Sequence, residues 1–193
     1  MKSESEFQAL PRNQFRDYFQ PSRVLLGIVP APTKSGVNVI TLCFNMHCAY
    51  RPTAMAFAVH NRSASFGLFQ AADEFVLAVP GPKLVDAAIL CGTRSMRQVD
   101  KIEELGLQLV PSGRVKTPGL RLAIANIELK KDRCIEVGDH LLVTGVVRRF
   151  GVNRSSSELP LLSIGSRTSG YTILRKSGIH RIAIINGEQA NLS

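Results

Sequence analysis

The chain contains no tryptophan and only three tyrosines among its 193 residues. Binders of single-stranded nucleic acid stack bases on aromatic side chains, and such a surface is hard to assemble here. There is no Cys-x-x-Cys pair either: the cysteines stand at 43, 48, 91 and 134. Cys43, His47 and Cys48 lie close together, but no second pair follows at zinc spacing, so reduced thiols and no metal are expected. Apolar runs are short. Met55 to Val59 and Leu141 to Val147 fall far below the roughly 20 residues that span a bilayer, which excludes a helical membrane protein. The opening Met-Lys-Ser-Glu-Ser-Glu lacks the apolar core of a signal peptide, and a cytoplasmic location is expected. No Gly-x-Gly-x-x-Gly occurs, so a nicotinamide dinucleotide cannot be held on that loop.

What is present is ordinary in bulk: 45% hydrophobic and 20% charged residues, enough for one domain with a proper core. A net charge of +9 and a pI near 9.8 invite an anionic partner. The cations are scattered, however. Lys130, Lys131, Arg133, Arg148, Arg149, Arg154, Arg167, Arg175, Lys176 and Arg181 form no single run. A basic surface that attracts phosphorylated small molecules is the expectation, with no nucleic acid as partner.

Residues 1–21 show no periodicity and read as an arm. Val24 to Val29 and Val37 to Phe44, joined through Pro30-Ala-Pro32 and Lys34-Ser-Gly36, read as a hairpin. Met55 to Val59 and Phe75 to Val79 are further strands, separated by a short helix over 65–72 that Ser63 or Ser65 would cap. Two more short helices are expected over 82–90 and 98–105, the second closed by Gly106. Strand-like runs follow over 107–110, 120–129, 133–137 and 140–147, then 161–164, 171–174 and 181–185. Many short strands with three inserted helices predict a mainly β protein with a barrel-like or sandwich core. The lack of strand–helix alternation argues against a doubly wound sheet.

Four polar islands interrupt these strands. They are Asn38 to Phe44, Asn61 to Ser65, Cys91 to Lys101, and Gly138-Asp139-His140. The third packs three cations, two hydroxyls and a glycine between apolar segments, donors suited to a phosphate. Each island also has a plainer reading. Asn38 and Thr41 satisfy a strand end, Phe44 joins a core, Ser63 and Ser65 cap a helix, Lys101 is a surface lysine, and His140 is a turn residue. Arg94 and Arg97 read as solvated or as dimer contacts; His47, His60 and His180 read as structural.

Taken in order and at these spacings, Gly36-Val-Asn38-Val-Ile-Thr41, Arg51-Pro52, Glu74-Phe75-Val76, Cys91-Gly92 through Val99-Asp100-Lys101, and Gly138-Asp139-His140 through Gly145 resemble the flavin reductase-like, FMN-binding split-barrel family. The likeness is greatest to the branch that includes flavoredoxin and spans roughly residues 22 to 150. It implies a split, Greek-key barrel over 22–152. The arm (1–21) and a C-terminal extension (153–193) would pack on the same domain or on a dimer partner. It further implies a homodimer with FMN near the interface, reduced by NADH or NADPH and passing electrons to free flavin, a partner monooxygenase or a redox protein. A flavoredoxin-like electron carrier without efficient NAD(P)H activity is the alternative.

Residue by residue, the resemblance assigns Asn38, Ile40, Thr41 and Phe44 to the first flavin-contacting strand. Arg62, Ser63 and Ser65 fall on the phosphate side. Lys101 and His140 contact the cofactor, His140 with a catalytic role. Phe44 stands where the family often has Trp. Tyr171 is the nearest candidate for the C-terminal aromatic that covers the flavin.

Overall fold

The computed structural model describes residues 9–186 except Arg167 and Ile179, with backbone alone at Asn13 and Arg16. The first eight residues of the expected arm and residues 187–193 of the extension lie outside the described residues. A single turn of 3-10 helix (Arg12–Gln14) and α1 (Phe15–Tyr18) lead into β1 (Ser22–Arg23). Then β2 (Leu25–Pro30) and β3 (Val37–Leu42) form the expected hairpin, with Leu25 opposite Leu42 and Pro30 opposite Val37. Gly36, at φ +75°, takes the left-handed position in the connection, and the Thr33 hydroxyl donates to the Val37 carbonyl at 2.8 Å.

A second hairpin, β4 (Asn45–Tyr50) and β5 (Thr53–His60), was not expected in full. Asn-Met-His-Cys-Ala-Tyr has no apolar stripe because β4 is a sheet edge whose ladder partner is β5. After α2 (Ser65–Ala71) and β6 (Glu74–Val79), a 3-10 turn begins at Pro82 and runs into α3 (Val85–Thr93). The helix expected over 98–105 is shorter, α4 (Lys101–Glu104), and is followed by Gly106 at φ +58°.

The strand expected over 120–129 is divided. Leu109–Val110 (β7) pairs with Gly119–Leu120 (β8), and a new strand, β9 (Ala125–Val137), starts five residues later. The Asn126 side chain takes over the backbone groups of Leu120, accepting from its N–H at 2.9 Å and donating to its carbonyl at 3.0 Å. This local amide clamp competes with the ladder and breaks the run. The runs at 133–137 and 140–147 extend into one long hairpin, β9 with β10 (His140–Val152), turning at Gly138. The chain closes with β11 (Leu162–Ile164), β12 (Tyr171–Ser177) and β13 (His180–Ile185).

Seven strands form one antiparallel sheet in the order β3-β2-β6-β9-β10-β5-β4, which leaves β3 and β4 as edges and is not closed into a barrel. Its inner face buries Phe57, Phe69 and Phe75, packed edge-on with ring centroids 5.0–5.6 Å apart, among Leu25, Leu77, Leu129, Leu141 and Val143. Burial of each such ring contributes about 1.5–3 kcal/mol. Its outer face packs Leu26, Ile28, Val39 and Val76 against Leu84, Ala87 and Cys91 beside and on α3 and Ile102 of α4. Strand β2 is therefore buried on both sides, which explains its unbroken apolar run.

The second sheet, β1-β11-β13-β12, packs through Val24, Leu161 and Ile182 on Ala88 of α3, and Arg175 pairs with Asp86 there. Among the described residues no helix is long and apolar enough to cross a membrane.

Candidate functional site

A cleft of about 1130 Å³ opens beside the β3 edge, with α3 and α4 on one side and the β5–α2 turn and the start of β10 on the other. Ile40, Thr41, Phe44, Arg62, Ser63, Ser65, Lys101 and His140 all line it. Asn38 does not reach the cleft but lies buried beneath, where its Nδ2 donates to Ser65 Oγ at 2.8 Å. The two groups are each only 2% exposed. A buried polar pair of this kind is tolerated because both members are bonded, and it fixes the Ser65 hydroxyl at the wall. Capping is not its role. Ala64 occupies the position before α2 with no side-chain capping bond, and Ser63 Oγ instead accepts from the Ser65 N–H at 3.2 Å.

Lys101 is not the surface lysine its polar setting suggests: it is 4% exposed. Its Nζ donates to the Val39 carbonyl at 2.7 Å and the Cys91 carbonyl at 3.2 Å. An ammonium has three N–H donors, so one remains. Burial pushes the Lys101 pKa below its ordinary value, against the opposing pull of Cys91. Burial likewise pushes the Cys91 thiol up to about 11, against the Lys101 charge, so this cysteine is an inert neighbour at neutral pH.

Lys101 is held in place by the residue before it. The Asp100 carboxylate accepts from the Ile102 and Glu103 N–H groups at the start of α4, and from both the N–H and the hydroxyl of Ser35, each at 3.1 Å. Partial burial alone would raise this carboxyl, but the bonds from Ser35, Ile102 and Glu103 outweigh it and hold it below the usual range. The β2–β3 turn is thereby tied to α4.

On the same wall, Thr41 Oγ1 donates to the Ala88 carbonyl at 2.6 Å, joining β3 to α3. Gly92 permits this approach: a Cβ there would stand 3.3 Å from Thr41 Cβ.

The opposite wall is aromatic and titratable. Phe44 is 54% exposed rather than a core residue, with its ring 5.4 Å from that of His140. The His140 ring lies 5.0 Å from His60. His60 and His180, read as structural from the sequence, both line the cleft, as does Arg94, read as solvated. Arg97 does not line it, and neither does Tyr171, which pairs with Ile185 in the second sheet. The other aromatic rings at the cleft are Phe15 and Phe19 of the arm, 4.3 Å apart. His60 could have been found from its place directly before the Asn61–Ser65 island. The arm and His180 carry no such signal. Among the described residues no group of three His, Cys, Asp or Glu is placed to hold a metal ion.

Comparison with known proteins places the chain in a family and a fold. A family model described as the flavin reductase like domain matches residues 21–192. The chain belongs to that family. An uncharacterized protein of Archaeoglobus fulgidus is 32% identical over 131 residues, covering 68% of this chain and 72% of its own length. An FMN-binding protein from Thermus thermophilus, solved with bound p-hydroxybenzaldehyde, superposes with a TM-score of 0.70 at 20% identity and covers 96% and 98% of the two chains. The NADH:FAD oxidoreductase SgcE6 of Streptomyces globisporus C-1027 gives 0.69 at 18% identity, with 82% and 93% covered. At these identities the two solved structures establish that this flavin reductase-like chain shares their fold.

Proposed function

We propose that this flavin reductase-like chain binds FMN in the cleft and works as an oxidoreductase, with NADH or NADPH as electron donor and free flavin or a partner protein as acceptor. The observation that carries this reading is the convergence of eight residues from four sequence-distant segments on one cleft, with Asn38 ordering Ser65 beneath it. The donor set suits such a cofactor. A buried ammonium with an unspent N–H, two serine hydroxyls and the Arg62 guanidinium match a phosphate carrying nearly two negative charges. The exposed Phe44 ring gives a planar heterocycle an apolar face to lie against. The cleft volume also exceeds the 300–1,000 Å³ typical of a single small-molecule pocket, which leaves room for a nicotinamide beside the flavin.

When bound, FMN would supply hydride acceptance and electron storage, chemistry no side chain here offers. The chain's own tasks are then binding, orientation and charge. Lys101 and the Arg62–Ser65 turn hold the phosphate, Phe44 orients the ring, and His140 supplies a hydrogen-bonding and proton-carrying group at the wall. A homodimer with the cofactor near the interface is part of the proposal. It is supported by Met46 and Tyr50 on edge strand β4, which with Phe44 beside it leave large apolar side chains exposed. A monooxygenase or redox protein is the proposed recipient of electrons.

The test is a visible spectrum of protein mixed with FMN and freed of excess, followed by anaerobic addition of NADH or NADPH. Saturable flavin absorbance that bleaches on addition supports the proposal. Colour without bleaching by either nicotinamide would leave the electron-carrier alternative, and absence of flavin binding would overturn both.

A further inference from the structure

His60 and His140, 80 positions apart in the chain, are direct cross-strand partners at the ends of β5 and β10. The Gly138-Asp139 turn sets a carboxylate between them. Asp139 Oδ1 is 2.6 Å from His140 Nδ1, and Oδ2 is 3.7 Å from His60 Nε2. The turn is itself pinned, since the Asn61 N–H donates to the Asp139 carbonyl at 2.8 Å. On the far side of His60, the Arg62 N–H donates to Nδ1 at 3.0 Å. That nitrogen therefore carries no proton, and the neutral ring's N–H is at Nε2, facing Asp139. The carboxylate only accepts, so the His140 nitrogen against it, Nδ1, is the one that bears hydrogen. Nε2 of His140 then keeps its lone pair, and among the described residues no hydrogen bond engages it.

We infer that His60 and Asp139 are positioning residues that lock His140 in its Nδ1–H form, leaving Nε2 bare at the cleft wall to accept a hydrogen bond from an imide or carboxamide N–H of the bound ring system and to take up one proton. The ligand class rests on the flavin reading; the tautomer rests on the geometry alone. The bond from His140, its charge and that of His60 hold the Asp139 carboxyl below the usual carboxylate range despite slight burial. The other charged or titratable side chains sharing the cleft are Arg23, Cys43, Arg62, Cys91, Arg94, Lys101 and His180, and the β9 residue opposite His140 is Val137. Among the described residues, Asp139 is the carboxylate bonded to the imidazole, and the cleft lining adds no other.

The direct test is long-range ¹H–¹⁵N correlation NMR of the histidine rings in the full chain, first without flavin and then with FMN. The expected spectrum has a protonated Nδ1 and bare Nε2 for His140, with the reverse for His60. Asp139→Ala should release His140 to the Nε2–H form that a free neutral imidazole favours. His60→Ala, which spares the β-turn, should weaken the preference without abolishing it. An Nε2–H His140 in the wild-type protein, or ring shifts unmoved in both variants, would overturn the inference. The apo spectra decide this whether or not FMN binds, so failure of the flavin proposal is seen separately in the FMN titration.

Discussion

Replacing Lys101 by Met removes a charge while nearly conserving shape, and the structure lets its consequences be separated. In the free protein the change has two opposing parts. It strips the Val39 and Cys91 carbonyls of their donor, a loss on the order of 1–3 kcal/mol for each buried group left unpaired. It also relieves the desolvation of a charge that is 4% exposed. The two largely offset, so Lys101→Met is expected to stay folded. Ligand binding has no such offset. Losing one charge-assisted bond to the FMN phosphate, about 1.5–3 kcal/mol, weakens the dissociation constant roughly 10- to 150-fold at about 1.4 kcal/mol per decade.

The pH dependence is more diagnostic still. Burial lowers the Lys101 pKa from 10.5, so wild-type affinity should fall as pH rises through that depressed value, while the variant's affinity stays flat. The folded chain binds fewer protons than the unfolded one between the depressed value and 10.5. Wild-type stability should therefore rise with pH across that window, and the variant should lose the rise. Flavin-fluorescence titrations over pH, paired with thermal melts, measure both. An FMN affinity in Lys101→Met within twofold of wild type would refute the reasoning.

Three further outcomes are expected. Asn38→Ala leaves Ser65 Oγ without its 2.8 Å donor and should cost about 1–3 kcal/mol in urea denaturation, with weaker FMN binding; an unchanged midpoint would mean that the pair is not structural. Gly145→Ala would bring a Cβ within 2.8 Å of Phe75 Cζ and 3.2 Å of Leu129 Cβ, so it should destabilise by about 1–3 kcal/mol in the same assay. The Glu128 carboxylate is 3% exposed and accepts from the Gly113 and Arg114 N–H groups and from Arg149. Burial would raise it, yet those bonds hold it below its ordinary value. Its stabilisation is therefore complete above the unfolded carboxyl value and lost as pH falls through the lower folded one. Glu128→Gln should flatten the acid side of the stability–pH curve, and an unaltered acid limb would count against this.

The first hairpin was legible because its turn chemistry and its double-sided apolar strand are local signals. Strand β4 was not, since an edge strand needs no apolar stripe and Asn45 to Tyr50 offers none. The break between β8 and β9 depends on one amide, Asn126, folding back on Leu120, and residue periodicity does not register such a contact. In the site, the residue types were readable but their environments were not. Ser65 looks like a cap from its neighbours, and becomes a cleft group because Asn38, 27 positions earlier, reaches it. Lys101 looks solvated, and is buried because Asp100 bonds Ser35 and swings α4 onto β3. His60 acquires its importance only from strand register, which sets it opposite His140. Within the site, each miss concerns contacts between elements distant in sequence.

The most direct measurement is a crystal structure of the full chain grown or soaked with FMN. The account predicts density for the ring against Phe44, with the phosphate within hydrogen-bond reach of Lys101 Nζ and Ser65 Oγ. Flavin bound elsewhere on the surface, or a cleft left open at saturating FMN, would contradict it.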